Sequence, residues 1–332
     1  MPTRTPTSLA IAIESWRTRD SFRIAGMEIN EIDFLLVRLG RDGVEGRGEA
    51  AGVGYRGDLP AAMVPQIEGL RAEIERGMDR ATLNDILPAC GARNSLDCAM
   101  WELDARLAGV PVWQLAGLDR PAPVESVFTI GIDTPGVMAG KACALADARR
   151  LKLKLGGDGG DAERIRAVRA ARPDAWIGVD ANRSYTLASV VAMFCTFADC
   201  GVARVEHPLD NGYEADMAAV DLPMPVAADE SVQDMNDLEA LVGRFDIVNI
   251  KLDKCGGLTQ ALAMEQRARE LGFGVMVGNM LGTSWSHAPA LLFAQRCDIA
   301  DLDGPYLIAG DRSPGLVYAN GTVDCPPGVW GD

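Results

Sequence analysis

Eight short apolar runs, spaced about one strand plus one helix apart and nearly all ending in a charge, leave few folds open to this chain of 332 residues. They are VESVFTI (124–130), LKLKL (151–155), WIGVD (176–180), VARVE (202–206), PVAAD (225–229), DIVNIK (246–251), FGVMV (273–277) and DIADLD (298–303). Lys154 to Asp180 is 26 residues, Asp180 to Glu206 is 26, Glu206 to Asp229 is 23, Asp229 to Lys251 is 22, and Lys251 to Asp301 is 50, or two steps of 25. Strands and helices alternating at this period build a parallel sheet covered by helices. Charges at successive strand ends fit a closed barrel whose C-terminal rim carries the active site. The expected class is α/β: a modified TIM (β/α) barrel with an N-terminal α+β capping domain completed by the C-terminal tail.

The chain before the barrel has a different pattern. SLAIAIESWRT and the alternating run from Phe22 to Leu39 read as antiparallel strands, and Gly40-Arg41-Asp42-Gly43 supplies turn residues before VEGRGEA. Two helices are expected, near 60–77 and 94–109. Leu96, Met100, Leu103 and Leu107 line one face of the second, with Asn94 or Ser95 as its N-cap. Asp119-Arg120-Pro121-Ala122-Pro123 marks a boundary. The expected division is therefore a cap with specificity loops over 1–119, a barrel over 120–310, and a tail over 311–332 returning to the cap. Within that tail GLVYANGTVDC should form a short hairpin turning at Asn320-Gly321.

Strand alternation converts these positions into geometry. In LKLKL, Lys152 and Lys154 point into the barrel while Leu151, Leu153 and Leu155 face the helices. The third, fourth and fifth barrel strands are adjacent and end in Asp180, Glu206 and Asp229, so three carboxylates converge on one side of the mouth. Hard oxygen ligands of this kind suit Mg²⁺, and no Cys or His pairing points to zinc. The second and sixth strands lie four apart in a ring of eight, so Lys154 and Lys251 face each other across the mouth. A carbon between them can lose a proton to one and regain it from the other. A proton next to a carboxylate is too weakly acidic for an unaided side chain, and Mg²⁺ with Lys152 can stabilise the enediolate that its removal creates. Each lysine must be neutral to act as base, which nearby positive charge favours. Asp301 and Asp303 share a face of the eighth strand, opposite the fourth.

LKLKL, GVDAN (178–182), VEHPL (205–209), ADES (228–231), NIKLDKCGG (249–257) and DLDGP (301–305), in this order and spacing, resemble the muconate-lactonizing-enzyme subgroup of the enolase superfamily. ILPACGARNSLDCAMWELDARL (86–107) is similar to that family's capping-domain helix, and the likeness spans nearly the whole chain. Sites in this superfamily pair a Lys or His base with Mg²⁺. The Asp-x-Asp of the eighth strand resembles the dipeptide epimerases. The resemblance implies one Mg²⁺ per subunit, which Mn²⁺ can replace, held by Asp180, Glu206 and Asp229. It implies Lys154 and Lys251 as acid/base catalysts, Lys152 on the substrate carboxylate, and Asp301 with Asp303 on the ammonium of a dipeptide. The implied reaction is 1,1-proton transfer at the α-carbon of the C-terminal residue, of the L-Ala-D/L-Glu type known from murein peptide metabolism or on a related dipeptide. N-acylamino acid racemisation, o-succinylbenzoate synthesis and muconate cycloisomerisation are the alternatives on the same barrel, but none offers an ammonium to Asp301 and Asp303. A non-catalytic, metal-dependent binding barrel is opposed by the presence of both lysines.

Two cap loops should choose the substrate's side chain. Residues 24–30 contain no basic residue and carry Glu28, and Arg23 beside them turns away if Phe22 points inward. Residues 52–58 offer Arg56, on which a preference for an acidic residue would rest; a hydrophobic or cationic second residue is the alternative. Asn182 and Glu230 follow Asp180 and Asp229 and can orient them. Asp253 and Lys254 read as supporting or solvated, and His207 and His287 as structural. The Gly256-Gly257 pair reads as a tight turn. A net charge of −15 argues against nucleic acid or an anionic membrane as partner. Eight cysteines without C-x-x-C spacing read as reduced thiols. No long apolar run or signal-like N-terminus is present, so cytoplasm is the expected location. A small-molecule dipeptide is the expected partner, and a homo-oligomer is compatible with the sequence.

Overall fold

The computed structural model describes residues 6–210, 212–217 and 223–332. Three antiparallel strands open the chain: β1 (Ser8–Ile24), β2 (Met27–Arg41) and β3 (Val44–Ala50). Asp42 and Gly43 turn β2 into β3 with φ of 51° and 81°, the left-handed pair that a tight hairpin needs. The helix Gly91–Ala108 packs against this sheet so closely that a Cβ on Gly46 or Gly48 would strike its backbone at Ala99 or Ser95. Leu96, Ala99, Met100 and Leu103 join the cap core, while Cys98, Trp101 and Ala105 join the barrel core. Residues 91–103 are buried throughout, so the polar ones among them must pair. Glu102, fully buried, is bound by Arg47 and Arg106.

Both helix expectations need adjustment. The second helix starts at Gly91, not at Asn94 or Ser95, because the Gly91 amide donates to the Asp58 carboxylate at 2.7 Å. This cap comes from 33 residues away, beyond the reach of a local N-cap motif. The stretch 60–77 divides into Pro60–Gly69 and Arg71–Glu75, with Leu70 out of helical geometry at φ −102° and ψ 2°.

The strand β4 (Val124–Glu125) precedes eight parallel strands: β5 (Val127–Ile130), β6 (Arg150–Lys154), β7 (Trp176–Asp180), β8 (Val202–Glu206), β9 (Val226–Ala228), β10 (Ile247–Ile250), β11 (Gly274–Val277) and β12 (Ile299–Ala300). Sheet neighbours are sequence neighbours, and a parallel bridge from Ser126 to Ala300 closes the ring. Leu151 and Leu153 are fully buried in the main core with Ile165 and Val168 of the helix Asp161–Ala171, while Lys152 and Lys154 occupy the alternate positions. The run VESVFTI is two strands, not one. Barrel pairing begins at Val127, opposite Arg150, which leaves Val124-Glu125 as a free edge.

That edge changes the destination of the tail. β13 (Val317–Ala319) and β14 (Thr322–Asp324) form the expected hairpin, turning through Asn320 and Gly321 with φ of 53° and 76°. The hairpin pairs with β4 instead of the cap sheet. The tail reaches the cap on either side of the hairpin: Arg312 pairs with Glu14 at 2.8 Å and Glu49 at 2.9 Å, Trp330 Nε1 donates to the Arg47 carbonyl at 3.0 Å, and Gly331 accepts the Val112 amide at 2.7 Å. No helix among the described residues is long and apolar enough to cross a membrane.

Candidate active site

Lys154 lies in register with Asp180, and Asp180 with Glu206, across β6, β7 and β8. Residues in register on neighbouring parallel strands point the same way. Glu206 is opposite Ala227, and Asp229, two residues on, returns to the same face. All three carboxylates are buried, and each has its own cationic partner. Lys154 Nζ donates to Asp180 at 2.6 Å and to Asn182 Oδ1 at 3.1 Å. Lys251 donates to one oxygen of Asp229 at 2.7 Å and Lys254 to the other at 2.6 Å. Glu206 is bound by Arg204 at 2.8 Å and by Asn249 Nδ2 at 2.7 Å. Lys154 and Lys251 therefore stand four strands apart, each turned to a carboxylate of the same mouth.

Electrostatics follow from these pairs. Burial works against ionised Asp229, but Lys251 and Lys254 hold its carboxyl well below the usual range. Burial likewise opposes the ionised form of Asp180, which Lys154 and Lys152 outweigh, lowering its pKa. Burial pulls the Lys251 ammonium down, yet Asp229 and Glu206 overcome it and the pKa is raised. At Lys254 burial prevails and the pKa is lowered. Lys152 is bonded to Asp301, so the residue read for the substrate carboxylate and one read for the ammonium are brought to each other. Asp301 Oδ1 is buried with no hydrogen-bond partner, and Asp303 Oδ2 accepts the Thr129 amide at 2.5 Å. Burial, then Asp301, pushes the Asp303 carboxyl up to about 6. β12 ends at Ala300, so Asp303 is placed by the turn Gly304–Leu307 and not by strand alternation.

Neighbouring residues complete the site. The Asn182 amide donates to Asp180 at 2.9 Å and its side chain to Glu230 at 3.2 Å. His207 accepts the Asp229 amide on Nδ1 at 3.1 Å and stacks on Phe245. His287 is buried, and burial pushes its pKa down to about 4. Gly256 and Gly257 have positive φ, a Cβ on either would strike Arg93 or Asp97 of the cap helix, and both amides bond to the Leu252 carbonyl. The eight cysteines are unpaired thiols. Lys254, read as supporting or solvated, is buried and supports Asp229, whereas Arg204 and Asn249 are contacts that the sequence did not single out. These two share their strands' inward face with Glu206 and Lys251, so alternation alone could have found them. Arg56 lies in the short turn Gly54–Arg56 and donates to Gln233 at 3.2 Å on the exposed side.

Among the described residues, no three acidic, His or Cys side chains are already gathered closely enough to hold a metal ion. Asp180 and Asp229 are drawn to Lys154 and Lys251 instead. The donor chemistry nevertheless fits a hard divalent cation: three buried carboxylates at adjacent strand ends, all oxygen donors, two of them neutralised here by lysines that a cation would replace.

Asp253, buried at 7% exposure, accepts the Gly52 amide at 2.8 Å and so ties the turn after Lys251 to the cap loop. Burial pushes its carboxyl up to about 6. A folded value above the unfolded one gives a contribution complete below the unfolded pKa and lost as pH rises through about 6. Asp253→Asn keeps a carbonyl acceptor and cannot ionise. It is expected to gain up to about 3 kcal/mol over wild type near pH 7.5 and little near pH 4. Thermal unfolding at the two pH values checks this; an equal difference at both would contradict it.

A closed barrel, an N-terminal α+β cap, and lysines opposed across three strand-end carboxylates define the class: the chain belongs to the mandelate racemase / muconate lactonizing enzyme family of the enolase superfamily. Residues 138–328 match the family description "Enolase C-terminal domain-like", and residues 7–117 match "Mandelate racemase / muconate lactonizing enzyme, N-terminal domain". The chain is similar to the L-Ala-D/L-Glu epimerase of Escherichia coli (strain K12), at 40% identity over 312 residues, covering 93% of this chain and 97% of that protein. Among solved structures, an enolase family member from Agrobacterium tumefaciens with homology to dipeptide epimerases, with bound sodium and L-Ala-L-Glu, has a TM-score of 0.95 at 37% identity, covering 98% of this chain and all (100%) of that one. A dipeptide epimerase from Methylococcus capsulatus, complexed with Mg and L-Arg-D-Lys, has a TM-score of 0.90 at 29% identity over 98% of this chain and 99% of that one.

Proposed function

We propose that this chain is a Mg²⁺-dependent dipeptide epimerase that moves the α-proton of the substrate's C-terminal residue by 1,1-proton transfer through an enediolate. The observation that carries this reading is the pair Lys154 and Lys251, buried on β6 and just past β10, facing one mouth from opposite sides. Lys154 and Lys251 exchange a proton with opposite faces of the α-carbon. Asp180, Glu206 and Asp229 hold Mg²⁺, or Mn²⁺ in its place. When bound, the cation supplies positive charge against the negative charge that develops on the substrate carboxylate. Lys152 adds a further ammonium near that carboxylate. Arg204 and Asn249 keep Glu206 oriented through both of its oxygens. The substrate's own ammonium lies at Asp301 and Asp303, where the unpartnered Asp301 Oδ1 and the raised Asp303 carboxyl favour a cation.

The substrate is a free dipeptide of the L-Ala-D/L-Glu type or a close relative, met in the cytoplasm. Sister reactions on N-acylated or purely anionic substrates leave these two buried acids without a counter-charge. Their pairing with Lys152 alone gives one ammonium for two carboxylates.

The test is Asp303→Asn. A charge-assisted hydrogen bond in a water-poor site is worth roughly 1.5 to 3 kcal/mol. The expected fall in kcat/KM for a free dipeptide is about ten- to a hundredfold. The fall for the N-acetylated dipeptide, whose amino end is neutral, should be much smaller. An enzyme that prefers N-acylated substrates, with both kinds equally harmed by Asp303→Asn, would remove the dipeptide reading.

A further inference from the structure

The order of strands around the ring divides the mouth into two sides. Thr129, Asp301 and Asp303 lie on one, where the first cap loop rests. There the Arg23 carbonyl accepts the Ile132 amide at 2.9 Å, and a cleft of about 470 Å³ runs between the loop and Gly156. Arg23 in that cleft is already paired with Glu28 at 3.2 Å. Asp180, Glu206, Asp229 and Lys251 lie on the other side, beneath the second cap loop. Tyr55 of that loop accepts from Gln233 Nε2 at 2.8 Å and is close enough to Asp229 and Lys251 to feel both charges. On the functional reading above, this second side receives the carboxylate of the C-terminal residue, so that residue's side chain lies against Tyr55 and its neighbours.

Two arginines border this space. Arg56 is taken up by the Gln233 amide on the exposed side. Arg183 is three residues past Asp180, next to Asn182, which touches Lys154. Its guanidinium lies 5.4 Å from the centre of the Tyr55 ring. Its Nη1 donates to Asp210 at 3.5 Å, at the long end of a hydrogen bond, and Glu230 is 3.8 Å from its Nε. Its Nε is buried with no hydrogen-bond partner. A guanidinium has five N–H donors in a fork that matches a carboxylate, and among the described residues Asp210 takes up Nη1 while Nε has no partner. Asn182 and Arg183 are also consecutive left-handed residues, with φ of 42° and 66°. Non-glycine residues hold that conformation at a cost, and such strain gathers at binding sites.

We propose that Arg183, stacked on Tyr55, receives the carboxylate of an acidic C-terminal residue in the dipeptide, and that Arg56 does not. The inference rests on the dipeptide-epimerase reading. It makes the barrel rim after β7, and not the cap alone, the part that reads the substrate's charge.

The experiment compares kcat/KM for L-Ala-L-Glu with that for L-Ala-L-Gln, which is isosteric and neutral, in the Mg²⁺-loaded full chain. Wild type should favour Glu by about tenfold or more, because a charged partner at a half-buried fork is what the neutral amide lacks. In Arg183→Met the Glu-to-Gln ratio should fall to about one, in Arg183→Lys it should be intermediate, and in Arg56→Met it should stay within about twofold of wild type. The ratio is taken within each variant, so a general loss of folded enzyme cancels. Collapse of the ratio in Arg56→Met with its survival in Arg183→Met overturns the proposal, as does a wild type that favours L-Ala-L-Gln or L-Ala-L-Lys over L-Ala-L-Glu. A wild type that epimerises no free dipeptide fails at the functional reading and takes the Arg183 role with it. A wild type active on both dipeptides without discrimination fails at Arg183 alone.

Discussion

Asp229→Asn is expected to lower kcat/KM by at least about a hundred- to a thousandfold, the scale of losing one preorganised electrostatic group in a water-poor site, and to weaken Mg²⁺ binding together with it. Asp229 is 3% exposed and its two oxygens hold Lys251 and Lys254, which keep it ionised. An amide in its place is neutral, so the hard cation loses a charged ligand. The same change leaves two buried ammonium groups without their counter-ion. Breaking a buried pair from one side costs about 3 to 5 kcal/mol, so the melting temperature of the metal-free protein should fall as well. Calorimetric titration with Mg²⁺, rate measurement and thermal unfolding read the three effects separately. Asp229→Asn with wild-type affinity for Mg²⁺ and wild-type turnover would exclude Asp229 as a ligand.

Lys251→Ala is expected to abolish interconversion while sparing half of the exchange chemistry. General acid/base groups contribute about a hundred- to ten-thousandfold, and epimerisation needs both lysines, so it should fall by that order. Lys154 remains, bonded to Asp180 and Asn182 on the far side of the mouth. It can still take and return the α-proton of the one epimer that presents its proton to that face. By the family resemblance this is the L epimer, and Lys154→Ala should spare exchange in the D epimer. Proton NMR in D₂O reads the loss of the α-signal for each epimer. Undiminished epimerisation by Lys251→Ala, or equal exchange of both epimers, would contradict opposed bases.

Much of this site was legible because a parallel strand exposes alternate residues to one face and repeats at a fixed period. Lys154, Asp180, Glu206, Asp229 and Lys251 are strand-end positions, and backbone pairing in register is enough to bring the first three side by side. What was illegible depends on side-chain reach or on distant partners. The Gly91 start of the cap helix is set by Asp58, and the barrel boundary at Val127 by pairing with Arg150. Lys152 turning to Asp301 is a choice between carboxylates that alternation cannot rank. Arg183 did not stand out in the sequence because an unpartnered donor such as its Nε is visible only once the described neighbours are in place.

Isotope exchange in D₂O with wild-type enzyme and Mg²⁺ tests the central claim most directly. L-Ala-L-Glu, or whichever free dipeptide turns over fastest, is incubated until both epimers are present, and mass spectrometry with NMR locates the label. If Lys154 and Lys251 pass a proton across one α-carbon, the product epimer carries one deuterium, at the α-carbon of the C-terminal residue, and chelation of the metal stops its appearance. Epimerisation without deuterium at that carbon, label at the N-terminal residue instead, or undiminished exchange after chelation would contradict the account.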